Sequence, residues 1–128
     1  TKAAVKIGFD QGLSHRIEAG CDFFLMPSKF EPCGLNQMYS LRYGTIPIVR
    51  RTGGLDDSVT DISDDPDRAD GIKFQEISVR ALSKSIRKAL VLYENKPLLA
   101  HYIRNAMQKD FSWERTAKEY EKFYRKFV

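Results

Sequence analysis

Two uninterrupted apolar runs, Phe23-Phe24-Leu25-Met26 and Ile46-Pro47-Ile48-Val49, constrain the fold of this chain more than any other feature. A strand with one wet face alternates apolar and polar side chains, whereas a strand covered on both faces does not, so the runs predict interior strands of a parallel sheet. The intervening segments fit that reading: Ala4 to Phe9 as a further strand, Gln11 to Gly20 as helix, Asp22 to Pro27 as strand, Leu35 to Gly44 as helix and Ile46 to Arg50 as strand. The expected class is α/β, a Rossmann-like parallel sheet with flanking helices.

Beyond the second run the chain turns acidic, with Asp56, Asp57, Asp61, Asp64, Asp65, Asp67 and Asp70 around Pro66. The spacing lacks the glycine and terminal Glu of an EF-hand, so a solvated surface loop, or a short helix and a loop, is expected rather than a calcium site. Gly71 to Gln75 reads as one more strand. Three helices follow, Val79 to Glu94, Pro97 to Lys109 and Trp113 to Phe127. Val79, Leu82, Ile86, Ala89, Leu90 and Tyr93 recur at helical spacing, Pro97 suits a first helical position, and Ser112 suits an N-cap. That makes about four strands where open nucleotide-binding sheets have five or six, and the first lies close to Thr1; either the domain is small or its first strands are missing.

A chain of 128 residues forms one domain able to bury roughly two-thirds of its unfolded surface. Its 42% hydrophobic and 30% charged content is that of a globular protein, and no apolar run reaches membrane-spanning length. The N-terminus has no signal-peptide pattern, so the expected location is cytoplasmic, with no membrane partner. Cys21 and Cys33 form no CxxC pattern and have no His cluster, which argues for free thiols and no metal site. The net charge of +4 is a weak pointer to nucleic acid, because the cations of the last helices alternate with Glu94, Asp110, Glu114, Glu119 and Glu121 as on ordinary solvated faces. No nucleic-acid partner is expected.

Ligands of open parallel sheets bind beyond the carboxyl ends of the strands. One such turn runs Pro27-Ser28-Lys29-Phe30-Glu31-Pro32-Cys33-Gly34-Leu35-Asn36-Gln37, where Gly34 leaves room for free N–H groups to face a phosphate or a sugar oxygen. Another is Arg51-Thr52-Gly53-Gly54-Leu55, whose glycine pair lets a backbone approach a ligand closely. Each has a plainer reading: Glu31 as a helix-dipole partner, the glycines as ordinary turns. His15 and His101 lack a partnered carboxylate and read as surface or packing residues. Leu35, Met38, Leu41 and Tyr43 are expected to face the core.

These motifs, with Ile7-Gly8-Phe9, Leu13-Ser14-His15-Arg16-Ile17, Ala19-Gly20-Cys21-Asp22, Tyr43-Gly44-Thr45-Ile46-Pro47 and Phe111-Ser112-Trp113-Glu114, resemble the C-terminal domain of bacterial glycogen synthases and plant starch synthases over nearly the whole chain. The resemblance implies a GT-B glycosyltransferase with its site between two Rossmann-like domains. Residues 1–128 would be part of the nucleotide-sugar-binding domain, with 111–128 as its closing helix. It implies transfer of glucose from ADP-glucose, with retention, to the non-reducing end of an α-1,4-glucan, without a metal or other cofactor. By the same resemblance Glu31 is the catalytic side chain beside the glucosyl unit; Cys33, Gly34 and Leu35 contact its hydroxyls; Asn36 and Gln37 lie near the diphosphate. Phe9 stacks on the adenine where the family often has Tyr. Ser28, Lys29, Tyr39, Thr52, Gly53 and Gly54 are further candidates, Tyr39 standing where many related enzymes carry a second Glu. The family's diphosphate clamp and acceptor-side domain are not in these residues, so the chain alone is expected to be inactive. A UDP-type donor and a non-catalytic binding module are the alternatives.

Overall fold

A computed structural model describes residues 3–127. Its elements run α1 (Gln11–Gly20), β1 (Phe23–Met26), α2 (Asn36–Tyr43), β2 (Ile46–Arg50), α3 (Gly53–Ser58), β3 (Ile72–Phe74), α4 (Val79–Glu94), α5 (Lys96–Gln108) and α6 (Trp113–Tyr124). The three strands form one parallel sheet in the order β1-β2-β3, with Phe23 opposite Ile46 and Ile48 opposite Ile72. The helical boundaries follow local chemistry. Asp10, Ser78, Asn95 and Ser112 each accept a first-turn backbone N–H at an N-cap, and Pro97 sits in the first turn of α5.

Only β2 meets the expectation of an interior strand, with Ile46 to Val49 all buried. β1 lies at the sheet edge and leaves Leu25 41% exposed. Ala4 to Phe9 is not a strand: it pairs with nothing, and Val5, Ile7 and Phe9 are 88%, 91% and 96% exposed. An apolar run becomes a strand only where a neighbour accepts its backbone hydrogen bonds, and no such neighbour lies beside it among the described residues. The described residues therefore form three strands rather than about four.

The core gathers Leu41 of α2, the β2 side chains, Leu55, Val59, Ala69, Ile72, Phe74, Ala89 and Leu92 of α4, and Leu99, Tyr102 and Ala106 of α5. On α4 the buried positions are Ser85, Ala89 and Leu92, while Val79 and Leu90 are 83% and 62% exposed. On α2, Leu41 is buried and Met38 half-buried, but Leu35 and Tyr43 face solvent. Helix α6 buries no residue. Val128, the end of the expected closing helix, and Thr1 and Lys2 lie outside the described residues. No described helix is long and apolar enough to cross a membrane.

The acidic segment is not simply a solvated loop. After α3, Asp61 and Asp70 are 2% exposed. Asp61 accepts from the backbone N–H groups of Ser63 and Lys73 at 2.9 and 2.8 Å, and Asp70 accepts from Thr60 N–H at 2.7 Å and Lys109 Nζ at 2.5 Å. Lys109, read as part of a solvated face, thus neutralises a buried carboxylate. Among the described residues no three His, Cys, Asp or Glu side chains group so as to hold a metal ion.

Candidate functional site

The carboxyl ends of all three strands point to one rim, and the long β1–α2 turn crosses it. Gly34 has φ 71°, a left-handed conformation, and a β-carbon there would lie 2.6 Å from Gln37 Oε1. That bend delivers the chain into α2, whose N-cap, Leu35, offers no side-chain hydrogen bond. The first-turn N–H groups of α2, at the positive end of the helix dipole, therefore receive no cap from the N-cap side chain.

Gln37 is fully buried. Its amide nitrogen donates to the carbonyls of Cys33 (3.0 Å) and Gly34 (2.9 Å) and approaches Ser58 Oγ at 3.1 Å. The amide nitrogen thus braces the turn, while among the described residues the buried Oε1 has no hydrogen-bond partner. Asn36, one position earlier, is exposed and shares a groove of about 370 Å³ with Phe9, Ser14, Ile17 and Phe24.

The glycine pair acts on the same turn. A β-carbon on Gly54 would lie 2.6 Å from the α-carbon of Cys33 and 2.8 Å from its carbonyl carbon; one on Gly53 would lie 3.1 Å from the carbonyl carbon of Glu31. Gly54 N–H also donates to the Pro32 carbonyl at 3.2 Å. The β2–α3 turn is therefore pressed backbone to backbone against residues 31–33, and its glycines are required by that contact. Glu31 itself is half-buried, Cys33 exposed.

Beneath the rim lies an ion network. Lys73, whose side chain is 5% exposed, reaches Asp56 at 2.7 Å and Asp64 at 2.9 Å, and Arg51 reaches the same two carboxylates at 3.1 and 2.6 Å. Burial works against ionisation of Asp64, but hydrogen bonds from Arg51 and Lys73 hold its carboxyl well below the usual range. Asp61 is also lowered: the N–H groups of Lys73 and Ser63 outweigh its burial. This network anchors the start of α3, and with it the glycine pair.

Of the sequence candidates, the structure brings Glu31, Cys33, Gly34, Gln37, Gly53 and Gly54 into one packed rim, and sets Phe9 and Asn36 in the neighbouring groove. Leu35 is exposed at the helix start. Tyr39 packs against His15, ring centroids 5.2 Å apart. Sequence reading did not single out Arg50, Ser58 or Lys73, and had Arg51 only as the start of the glycine turn. A cation ending an apolar strand, as Arg50 does, and one inside the short strand Ile72-Lys73-Phe74 were the available signals.

Parallel α/β architecture with a rim of strand-end loops, a glycine-led helix start and one carboxylate defines the class of open-sheet ligand-binding domains. No protein-family model matches the chain. Curated relatives do: it is 52% identical over 123 residues to a glycogen synthase of Koribacter versatilis, covering 96% of this chain and 25% of the relative. It is 53% identical over 127 residues to a glycogen synthase of Myxococcus xanthus, covering 99% and 26%. Among solved structures, the catalytic domain of starch synthase IV from Arabidopsis thaliana, bound to ADP and acarbose, superposes with a TM-score of 0.82 at 41% identity over 94% of this chain and 25% of that one. A sucrose-phosphate synthase from Thermosynechococcus elongatus follows at TM-score 0.62 and 25% identity, over 87% of this chain and 26% of that one. Over nearly its whole length the chain is homologous to one part of the glycogen synthases and starch synthases, and it spans about a quarter of the length of the curated relatives it matches.

Proposed function

We propose that this chain carries the donor-side wall of a glucosyltransferase site, which passes glucose from ADP-glucose to the non-reducing end of an α-1,4-glucan with retention of configuration. The observation that carries the reading is the rim itself, where Glu31 stands half-buried on a turn braced by Gln37 and Gly53-Gly54, directly before an uncapped helix start. The relative bound to ADP and acarbose supports a nucleotide and a glucan as ligands. In this reading the α2 N-terminus and the exposed Asn36 face the diphosphate, the Cys33 to Leu35 backbone faces the sugar hydroxyls, and Phe9 offers its face to the adenine. Ser28, Lys29, Thr52 and Tyr39 are outer candidates. The chemistry needs no metal or cofactor, and the acceptor and the diphosphate clamp belong to the rest of the enzyme.

As the glucosyl–phosphate bond breaks, positive charge grows on the anomeric carbon and ring oxygen, so a fixed carboxylate binds the transition state more strongly than the ground state. Glu31→Gln in the whole enzyme keeps the shape and removes the charge. We expect kcat to fall by about two orders of magnitude or more with a far smaller change in donor KM. If Glu31 serves only the helix dipole, the variant loses about 0.3–1 kcal/mol of stability and keeps its turnover. A stable, fully active variant would refute the assignment. The second reading is a UDP-type donor on the same rim; competition by ADP against UDP separates the two.

A further inference from the structure

We propose that Arg50 is a positioning residue for this reaction: from the end of the central strand its guanidinium ties the loops after all three strands into one rim and so fixes the carboxylate of Glu31. The proposal rests on the reading of Glu31 given above. Arg50 Nε donates to the Ser28 carbonyl at 2.8 Å and Nη2 to the Lys29 carbonyl; Nη1 makes longer contacts, 3.4 Å each, to the carbonyls of Arg51 and Gln75. Ser28 and Lys29 follow β1, Arg51 follows β2 and Gln75 follows β3, so one planar group touches every loop at the rim.

The choice of partners is unusual. Among the described residues Arg50 has no carboxylate within ion-pair distance, whereas its neighbour Arg51 binds both Asp56 and Asp64. A cation satisfied by carbonyl oxygens alone gains little from charge pairing; what the guanidinium supplies is a rigid fork of donors with fixed directions. Those directions bear on Glu31 from both sides. Lys29, two residues before it, is held by Nη2, and Pro32, one residue after it, is held by Gly54 N–H on the turn that leaves Arg50. A lysine at this position keeps the charge but has one ammonium in place of the fork.

The test uses the whole enzyme, with Arg50→Lys and Arg50→Gln each measured alone and combined with Glu31→Gln, followed by thermal melts and single-turnover kinetics. A carboxylate displaced by a fraction of an ångström predicts a drop in kcat of about 10- to 100-fold, with donor KM moving by less than about threefold and the cooperative melt retained. In the Glu31→Gln background the same substitutions should cost almost nothing further, because the group being positioned is already disabled. Unchanged kcat, a loss confined to KM, or an equal loss in both backgrounds would overturn the proposal. Failure of both Arg50 variants to fold would also overturn it, since Arg50 would then serve the fold and not the site. Full turnover in Glu31→Gln alone would remove the underlying reading instead, which keeps the two failures distinguishable.

Discussion

Substituting alanine for Gly54 should be among the most damaging single-methyl changes available in this chain. The added carbon would sit 2.6 Å from the Cys33 α-carbon and 2.8 Å from its carbonyl carbon, where ordinary contact begins near 3.4 Å. Relief requires a separation of about 0.8 Å, and both partners are backbone, so no side-chain rotation can supply it. Moving residues 32–33 away stretches the 3.2 Å hydrogen bond from Gly54 N–H to Pro32 and disturbs the Gln37 amide bond to the Cys33 carbonyl. Overpacking of this kind costs about 1–3 kcal/mol, and each weakened bond about 1 kcal/mol more. A total of roughly 3–5 kcal/mol corresponds to a fall in Tm on the order of 10–20 °C for a domain of this size. Scanning calorimetry of the purified chain measures it directly. Gly20→Ala is the control, because nothing lies within 4 Å of a β-carbon there, and it should change stability by less than about 0.5 kcal/mol. If Gly54→Ala melts within about 2 °C of the parent, the two turns are not in tight contact and the reasoning fails.

Three further outcomes are expected. Asp61 and Asp64 have lowered carboxyl pKa values in the fold, so their contribution is fully present above the unfolded value near 3.8 and is lost as pH falls below it; the gap in Tm between the parent and Asp64→Asn should be constant at neutral pH and close under acid, and a gap independent of pH would refute the network. Glu18 is 1% exposed and among the described residues neither carboxylate oxygen has a hydrogen-bond partner, with His15 Nδ1 3.9 Å away; burial pushes its pKa up. Glu18→Met should therefore raise stability near pH 7 by about 1–2 kcal/mol, an advantage that shrinks as pH falls toward 4.5 and the parent carboxyl takes up its proton; a lower neutral-pH Tm would count against it. In the whole enzyme Phe9→Ala should weaken donor binding by the loss of a stacking face, about 1–3 kcal/mol by analogy with aromatic stacking on bases, while Phe9→Tyr stays close to the parent; an unchanged donor KM in the Ala variant would place the base elsewhere.

The parts of the fold legible in the sequence were those set by neighbours a few residues away. Ile46 to Val49 read as a buried strand because every position is apolar, and Ser112 and Pro97 announced helix starts through the backbone groups they satisfy or lack. The turn around Gly34 was legible too, since a left-handed backbone asks for that residue. What escaped depends on partners far along the chain. Ala4 to Phe9 carries the pattern of a strand, but pattern supplies no pairing edge. Asp61 and Asp70 look solvated until Lys73 N–H and Lys109, 12 and 39 residues away, are folded against them. In the site, the bracing role of the Gln37 amide nitrogen escaped as well, since its contacts with Cys33, Gly34 and Ser58 appear only in the fold. Arg50 drew no attention because its acceptors are main-chain carbonyls, which leave no mark in a sequence.

The division of labour around the β1–α2 turn also draws a map for anyone wishing to redesign the proposed donor pocket. Phe9, Phe30, Leu35 and Asn36 are exposed, and among the described residues their side chains hold none of the scaffold's hydrogen bonds; a combinatorial library can diversify all four and leave the architecture standing. Gln37, Arg50, Gly54 and Ser58, which follow them in sequence, form the chassis. Random mutagenesis across 28–58 would strike the chassis along with Phe30, Leu35 and Asn36, whereas codons varied only at the first group should return folded proteins whose donor preferences can be screened directly.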